Sequence, residues 1–207
     1  MARLSRRLVI AAATLALLAG CNKSGASLGA AGPDDMTMGN PNAKVLVAEY
    51  ASVGCPHCAA FNNDIFPAFK AKYIDTGKVH YVFHEMLVGE GPELSLAAAG
   101  FLLARCAGKD KYFPVVDQIF HEQSAMFQSG DIRTPLLRIA QSAGMSEQQF
   151  TACVGDQAAL KALNDRVVKA SKDGVNETPT FIINGNKITG EQTLAELDKA
   201  IAAAEKN

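Results

Sequence analysis

The sequence predicts an α/β protein in which a block of helices interrupts a sheet. Three observations carry this reading. Two β-rich runs, "KVLVAEYAS" at 44–52 and "KVHYVFHEM" at 78–86, flank a segment whose Phe61, Ile65, Phe66, Phe69 and Tyr73 fall on one helical stripe. From about 91 to 174 the chain turns to Ala-, Leu- and Gln-rich segments broken by helix stops and starts. Two short β runs, "TPTFIING" and "NKITG", then precede an amphipathic last helix, "TLAELDKAIAAAEK". The order is therefore β-α-β, helices, β-β-α.

Each element has its own local signal. Gly77 ends the first helix, and Pro67, which lacks a backbone N–H, is expected to kink it. Within the helical block Gly108 follows one helix, Thr134-Pro135 opens another, and Ser146 with Gln149 forms a capping-box pattern for a third. Asn184-Gly185-Asn186 joins the last two strands as a tight hairpin, because Asn and Gly tolerate the positive φ such turns need.

The chain has 207 residues, 48% hydrophobic and 20% charged, with a net charge of −1. That describes one globular domain with an insertion, and the absence of a basic excess argues against a nucleic-acid partner. The N-terminus differs from the rest. Arg3, Arg6 and Arg7 precede the apolar run "LVIAAATLALLA", the layout of a secretory signal peptide over residues 1–20. Leu18-Ala19-Gly20-Cys21 resembles the bacterial lipobox, in which Cys21 carries the lipid that begins the mature chain. Residues 21–40 are small, polar and glycine-rich, and read as a flexible tether that reaches on the order of 25 Å. The folded domain is expected to begin near Pro41, close to a membrane.

With Cys21 assigned to lipid, four of the five cysteines remain. Cys106 and Cys153 are natural disulfide partners in an exported chain, though two buried free thiols would also fit. Cys55 and Cys58 enclose only Pro56 and His57, at the junction of the first strand and the first helix. A structural bond across one helical turn closes almost no loop and stabilises little. A zinc site needs about four ligands, and no second Cys-x-x-Cys supplies them; no metal is expected. Soft copper ligation by the two thiols and a histidine is the rival from another class. The position favours redox work. A helix start stabilises a thiolate at Cys55 through its free N–H groups, Pro56 suits a first turn, and His57 adds positive charge. Cys58, one turn in, is expected to be buried and less reactive.

The whole pattern, "EYASVGCPHC" followed about 120 residues later by "TPTFIING", resembles the DsbA family of thiol–disulfide oxidoreductases. The resemblance spans roughly 41–205. It implies a thioredoxin-like fold, formed by residues 41–90 and 175–207, with an inserted helical domain at 91–174. It also implies that Pro179 is cis and lies against the redox pair, that Thr178 touches the pair through its hydroxyl, and that Glu49 is a buried acid beneath it. Thr178 stands where the family usually has valine, and threonine there also occurs in related isomerases. The implied activity is donation of the Cys55–Cys58 disulfide to reduced or unfolded exported proteins, with isomerase or reductase work as the alternative. No cofactor beyond that disulfide is implied. The implied setting is a bacterial periplasm or cell envelope, the protein a monomer tethered to the membrane and reoxidised there by a DsbB-type, quinone-linked membrane oxidase.

Overall fold

The computed structural model describes residues 29–206. The signal-peptide segment, Cys21 and the first part of the tether lie outside the described residues. Five strands form one sheet: β1 (Met36–Gly39), β2 (Val45–Ala51), β3 (Val79–Glu85), β4 (Thr180–Ile183) and β5 (Asn186–Thr189). Their order is β1-β3-β2-β4-β5, with β2 and β3 parallel and every other pair antiparallel. The parallel pair follows from the helical crossover between them. Central β2 reads as an almost continuous buried run, as a strand covered on both faces must.

The crossover is one continuous helical path in four pieces: α1 (Pro56–Ala60), a π turn (Phe61–Ile65), α2 (Phe66–Phe69) and a second π turn (Lys70–Ile74). The Phe66 N–H reaches back five residues to the Phe61 carbonyl. The wider turn absorbs the donor missing at Pro67, so the expected kink is a π segment within a helix that continues. The aromatic stripe then meets the sheet, with Phe61 against Phe181 at 4.8 Å and Phe66 against Tyr81 at 5.4 Å between ring centroids.

The helical block comprises α3 (Pro92–Cys106), α4 (Lys109–Ser129), α5 (Arg133–Ser142), α6 (Glu147–Val154) and α7 (Gln157–Lys172), and α8 (Leu194–Ala204) closes the chain. The capping box at Ser146 and Gln149 opens α6, and Thr193 with Glu196 forms a second one for α8. Asn184 at φ 45° and Gly185 at φ 85° make the hairpin turn. No described helix is long and apolar enough to cross a membrane.

The N-terminal boundary needs correction. Residues 29–40, read as part of the tether, belong to the fold: β1 pairs along the whole of Met36–Gly39 with the β3 stretch from His80 to Phe83, and Met36 is buried. Gly29 is buried too, and a Cβ there would come within 2.9 Å of the Ala48 Cβ. Composition misled because pairing to a free sheet edge is made by backbone groups and needs few large side chains.

One carboxylate fastens the helical block to the sheet. Glu85 on β3 is 3% exposed and accepts from Arg105 Nε of α3 at 2.6 Å, Tyr112 Oη of α4 at 2.9 Å and Arg166 Nη2 of α7 at 2.6 Å. A buried charge is tolerable only when paired this fully. Cys106, the last residue of α3, is disulfide-bonded to Cys153 of α6 across 47 positions, with the Cα atoms 6.3 Å apart. Closing a loop of that length restricts the unfolded chain, so replacing both cysteines by alanine should lower unfolding stability by up to roughly 4 kcal/mol. Denaturant melts of the double variant check this, and an unchanged midpoint would refute it.

Candidate active site

β2 delivers the chain to the site. After Ala51 a tight turn follows, in which the Cys55 N–H donates to the Ser52 carbonyl at 3.0 Å. Gly54 is required there, because a Cβ would lie 2.1 Å from the Glu93 carbonyl oxygen at the start of α3. Cys55 takes the N-cap position of α1 with extended backbone (φ −89°, ψ 121°), and Pro56 occupies the first turn. Gln123 of α4 is buried and donates from Nε2 to the Val53 carbonyl at 2.7 Å and the Cys55 carbonyl at 3.1 Å. The helical block thus fixes the turn that carries the sulfur.

Cys55 and Cys58 stand as two thiols. Cys55 is 7% exposed at the surface end of the pair, and Cys58 is fully buried. The environment divides their acidities. A hydrogen bond from the Cys58 thiol, opposed by partial burial and helped by Thr178 and by the backbone N–H groups of Cys58 and His57, pulls the Cys55 thiol down to about 5. Burial first, and then the hydrogen bond and charge of Cys55, push Cys58 well up. One thiolate is stabilised, and the second proton is retained.

The Thr178–Pro179 peptide is cis. The Thr178 carbonyl lies 3.6 Å from Cys55 Sγ as its hydrogen-bond acceptor, so the main contact is with the backbone; the side chain is a second partner that lowers the Cys55 pKa. The loop is braced on both sides, by the Thr180 hydroxyl donating to the Glu177 carbonyl at 2.8 Å and by the Gly190 N–H donating to the Pro179 carbonyl at 2.8 Å.

Glu49 lies on the inward face of β2 and is 2% exposed. Burial raises its carboxyl to about 7, against the opposing hydrogen bond from Tyr81 Oη at 2.6 Å. Its charge is the last of the influences that raise Cys58, after burial and the neighbouring Cys55. His57 is exposed, and its Nδ1 pairs with Glu191 Oε1 in the loop before α8. That hydrogen bond, the Glu191 charge and the Cys55 charge all raise the His57 pKa.

All seven residues read as site residues, Glu49, Cys55, Pro56, His57, Cys58, Thr178 and Pro179, come together at the C-terminal end of β2 and the start of β4. Sequence reasoning missed Tyr81, Gln123 and Glu191. Tyr81 had a usable signal, because strand alternation puts Val79, Tyr81 and Phe83 on one face beside the face that carries Glu49. Gln123 and Glu191 are brought in by tertiary packing, and nothing local marks them. Two further histidines lie away from the site: His84 stacks on Tyr50 at 4.3 Å and faces Asp35, and His121 pairs with Asp117 one turn away on α4.

This geometry agrees with what the chain is similar to. The thioredoxin family profile matches residues 31–203. A Rickettsia bellii protein named as a protein-disulfide oxidoreductase is 34% identical over 175 residues, covering 81% of this chain and 65% of that protein. The chain thus spans just under two thirds of that relative's length. Among solved structures, Wolbachia pipientis alpha-DsbA1 is 28% identical with a TM-score of 0.73, covering 85% of this chain and 95% of that one. A thiol–disulfide exchange protein of the same organism, alpha-DsbA2, is 27% identical with a TM-score of 0.61, over 82% of this chain and 86% of that one. Fold, paired cysteines and cis-proline loop agree with these likenesses: the chain belongs to the thioredoxin family, as one of its DsbA-like members.

Proposed function

We propose that this chain is an exported thiol–disulfide oxidoreductase that donates its Cys55–Cys58 disulfide to reduced proteins. The observation that carries the reading is the split between the sulfurs: Cys55 is pulled down to about 5 while Cys58 is pushed well up. A site that stabilises the thiolate of its reduced form makes its disulfide oxidising, because reduction is then favourable.

The steps follow from the geometry. A substrate thiolate attacks Cys55 Sγ, the less buried member, and the Cys55–Cys58 bond breaks with its electron pair going to Cys58. Cys58 is buried and holds its proton tightly, so the departing sulfur is protonated; Glu49, buried on β2, titrating at about 7 and acting on Cys58 through its charge, is the acid assigned to supply that proton. The second substrate thiolate then attacks the substrate sulfur of the mixed disulfide. Cys55 leaves as a thiolate held by Cys58, Thr178 and the helix-start N–H groups. The cis-proline loop presents backbone beside the sulfur for an extended substrate to lie against. The product is a substrate disulfide and a reduced enzyme pair, which an external oxidant must restore. By resemblance that oxidant is a quinone-linked membrane protein of the DsbB type, and a lipid on Cys21 would hold the domain within its reach.

Three outcomes test this reading. In the reduced protein a depressed Cys55 adds stability that is complete above the unfolded thiol value and disappears as pH falls through about 5. The stability of the reduced form relative to the oxidised form should therefore rise by roughly 1–3 kcal/mol between pH 5 and pH 7. Melts in both redox states measure it, and alkylation at mildly acidic pH should label Cys55 before Cys58; a flat difference with equal labelling would sink the assignment. Thr178→Val keeps the carbonyl contact and loses only the hydroxyl, so it should raise the Cys55 pKa by under about one unit and make the disulfide less oxidising. An unchanged potential would remove Thr178 from the site. Wild-type protein should partition with membranes and Cys21→Ser should be released as soluble protein; identical fractionation of the two would refute the anchor.

A further inference from the structure

His57 and Glu191 are 134 positions apart in the chain, yet their side chains pair directly. Both sit on constrained backbone. His57 is in the first turn of α1, immediately after Pro56. Glu191 follows Gly190, whose N–H is bonded to the Pro179 carbonyl at 2.8 Å, and Gln192 Nε2 donates to the carbonyls of Gly190 and Glu191 at 3.2 Å and 2.9 Å. The loop that presents Glu191 is therefore attached to the loop that touches Cys55. The pair is not a staple of the fold, because its side chains are 72% and 51% exposed and exposed ion pairs contribute little stability. Its consequence is electrostatic and falls beside the reactive sulfur.

We propose that Glu191 is a positioning residue of the redox site, which anchors the His57 ring at the start of α1 and favours its protonated form in both redox states. The groups that act on His57 among the described residues are Cys55 ahead of α1 and Glu191 from the loop before α8. Asp64 lines the same shallow cavity as Glu191. Two of these groups favour the imidazolium, the Glu191 carboxylate and the Cys55 thiolate. The thiolate exists only in the reduced protein. In the disulfide form Glu191 is the remaining anion in contact with the ring.

A balance of protons separates the two cases. When a substrate dithiol supplies two electrons near neutral pH, the disulfide becomes the Cys55 thiolate and the Cys58 thiol, taking up one proton. If His57 is already cationic in the disulfide form, nothing more is bound. Without Glu191, the ring would lose the carboxylate that favours its protonated form, and its proton affinity would depend more on whether the Cys55 thiolate is present, because their attraction is mutual. Reduction would then draw an additional fraction of a proton onto the ring. Glu191 thus keeps the potential from acquiring an extra pH dependence in the range where histidine ordinarily titrates.

The inference rests only on Cys55 and Cys58 cycling between dithiol and disulfide. The test uses the full chain, wild type and Glu191→Gln, with the His57 ring followed by NMR titration in each redox state and the potential measured against pH. In the wild type His57 should titrate above its ordinary range in both states. In Glu191→Gln the disulfide form should titrate at lower pH while the dithiol form moves less, and proton uptake per two electrons should rise above one near the histidine range. Glu191→Asp should restore the wild-type behaviour at least in part. In a His57→Ala background, Glu191→Gln should leave the proton uptake unchanged. A His57 titration identical in wild type and Glu191→Gln, or an equal change in uptake without His57, overturns the inference alone. A pair that cannot be oxidised at all overturns both the inference and the oxidoreductase reading.

Discussion

The rest of the site depends on how the Cys55 and Cys58 sulfurs divide their protons between them. A thiolate almost withdrawn from water is expensive, and partial burial alone would push the Cys55 proton affinity upward. The neighbouring thiol reverses that cost, and in doing so it takes on the opposite character: Cys58 keeps its proton because it is buried and because it serves the charge beside it. Two chemically identical side chains become a leaving group and a proton holder through a difference of one helical turn. The cis-proline loop, the α1 N–H groups and His57 refine a contrast that the two sulfurs already create between them.

The fold can be read as the apparatus that keeps those sulfurs in register. Cys55 is held by its own turn through the Ser52 carbonyl, by α3 through the tight approach at Gly54, by α4 through Gln123, and by the β4 loop through Thr178. Three of those four supports come from parts of the chain distant in sequence. The Glu85 cluster matters for the same reason. By binding Arg105, Tyr112 and Arg166 to the end of β3, it sets the position of α3, α4 and α7 relative to the sheet, and α4 in turn carries Gln123 to the active turn. A charge buried far from the sulfurs thereby fixes the frame in which they sit.

This division explains what could be read from the sequence. The element order, the Ser146–Gln149 capping box, the Asn184-Gly185 turn and the place of the cysteine pair are written in short windows, where spacing and turn chemistry act locally. The acidic residue under the pair and the proline facing it were reached through resemblance, because a strand residue such as Glu49 shows no local sign of being buried beside Cys58. Glu85 was legible as a residue and not as a function, since its three partners lie on three helices. Strand β1 was hidden for a different reason. It is only four residues long and set among small and polar ones, and what pairs it is the backbone edge of β3, which composition does not record.

The acidity of Cys55 also bears on the direction of electron flow. A sulfur that titrates at about 5 is almost wholly thiolate at neutral pH, so lowering it further would add no more of the reactive form. What a low value changes is chemistry on both sides of exchange: nucleophilicity falls with thiol acidity, while leaving ability rises. Reduced Cys55 is therefore a restrained attacker of other disulfides and a ready leaving group from a mixed one. A reductase or isomerase begins its cycle with attack by the reduced cysteine and is best served by a thiol that titrates near ambient pH. A donor finishes its cycle with expulsion of that cysteine, and its Cys58 must accept a proton at the step before. The buried Glu49, titrating at about 7, can hold a proton for that step at neutral pH, which an ordinary carboxyl could not. Both features, the acidic outer sulfur and the buried acid on β2, suit the proposed donor role, release of a substrate disulfide, better than attack on one.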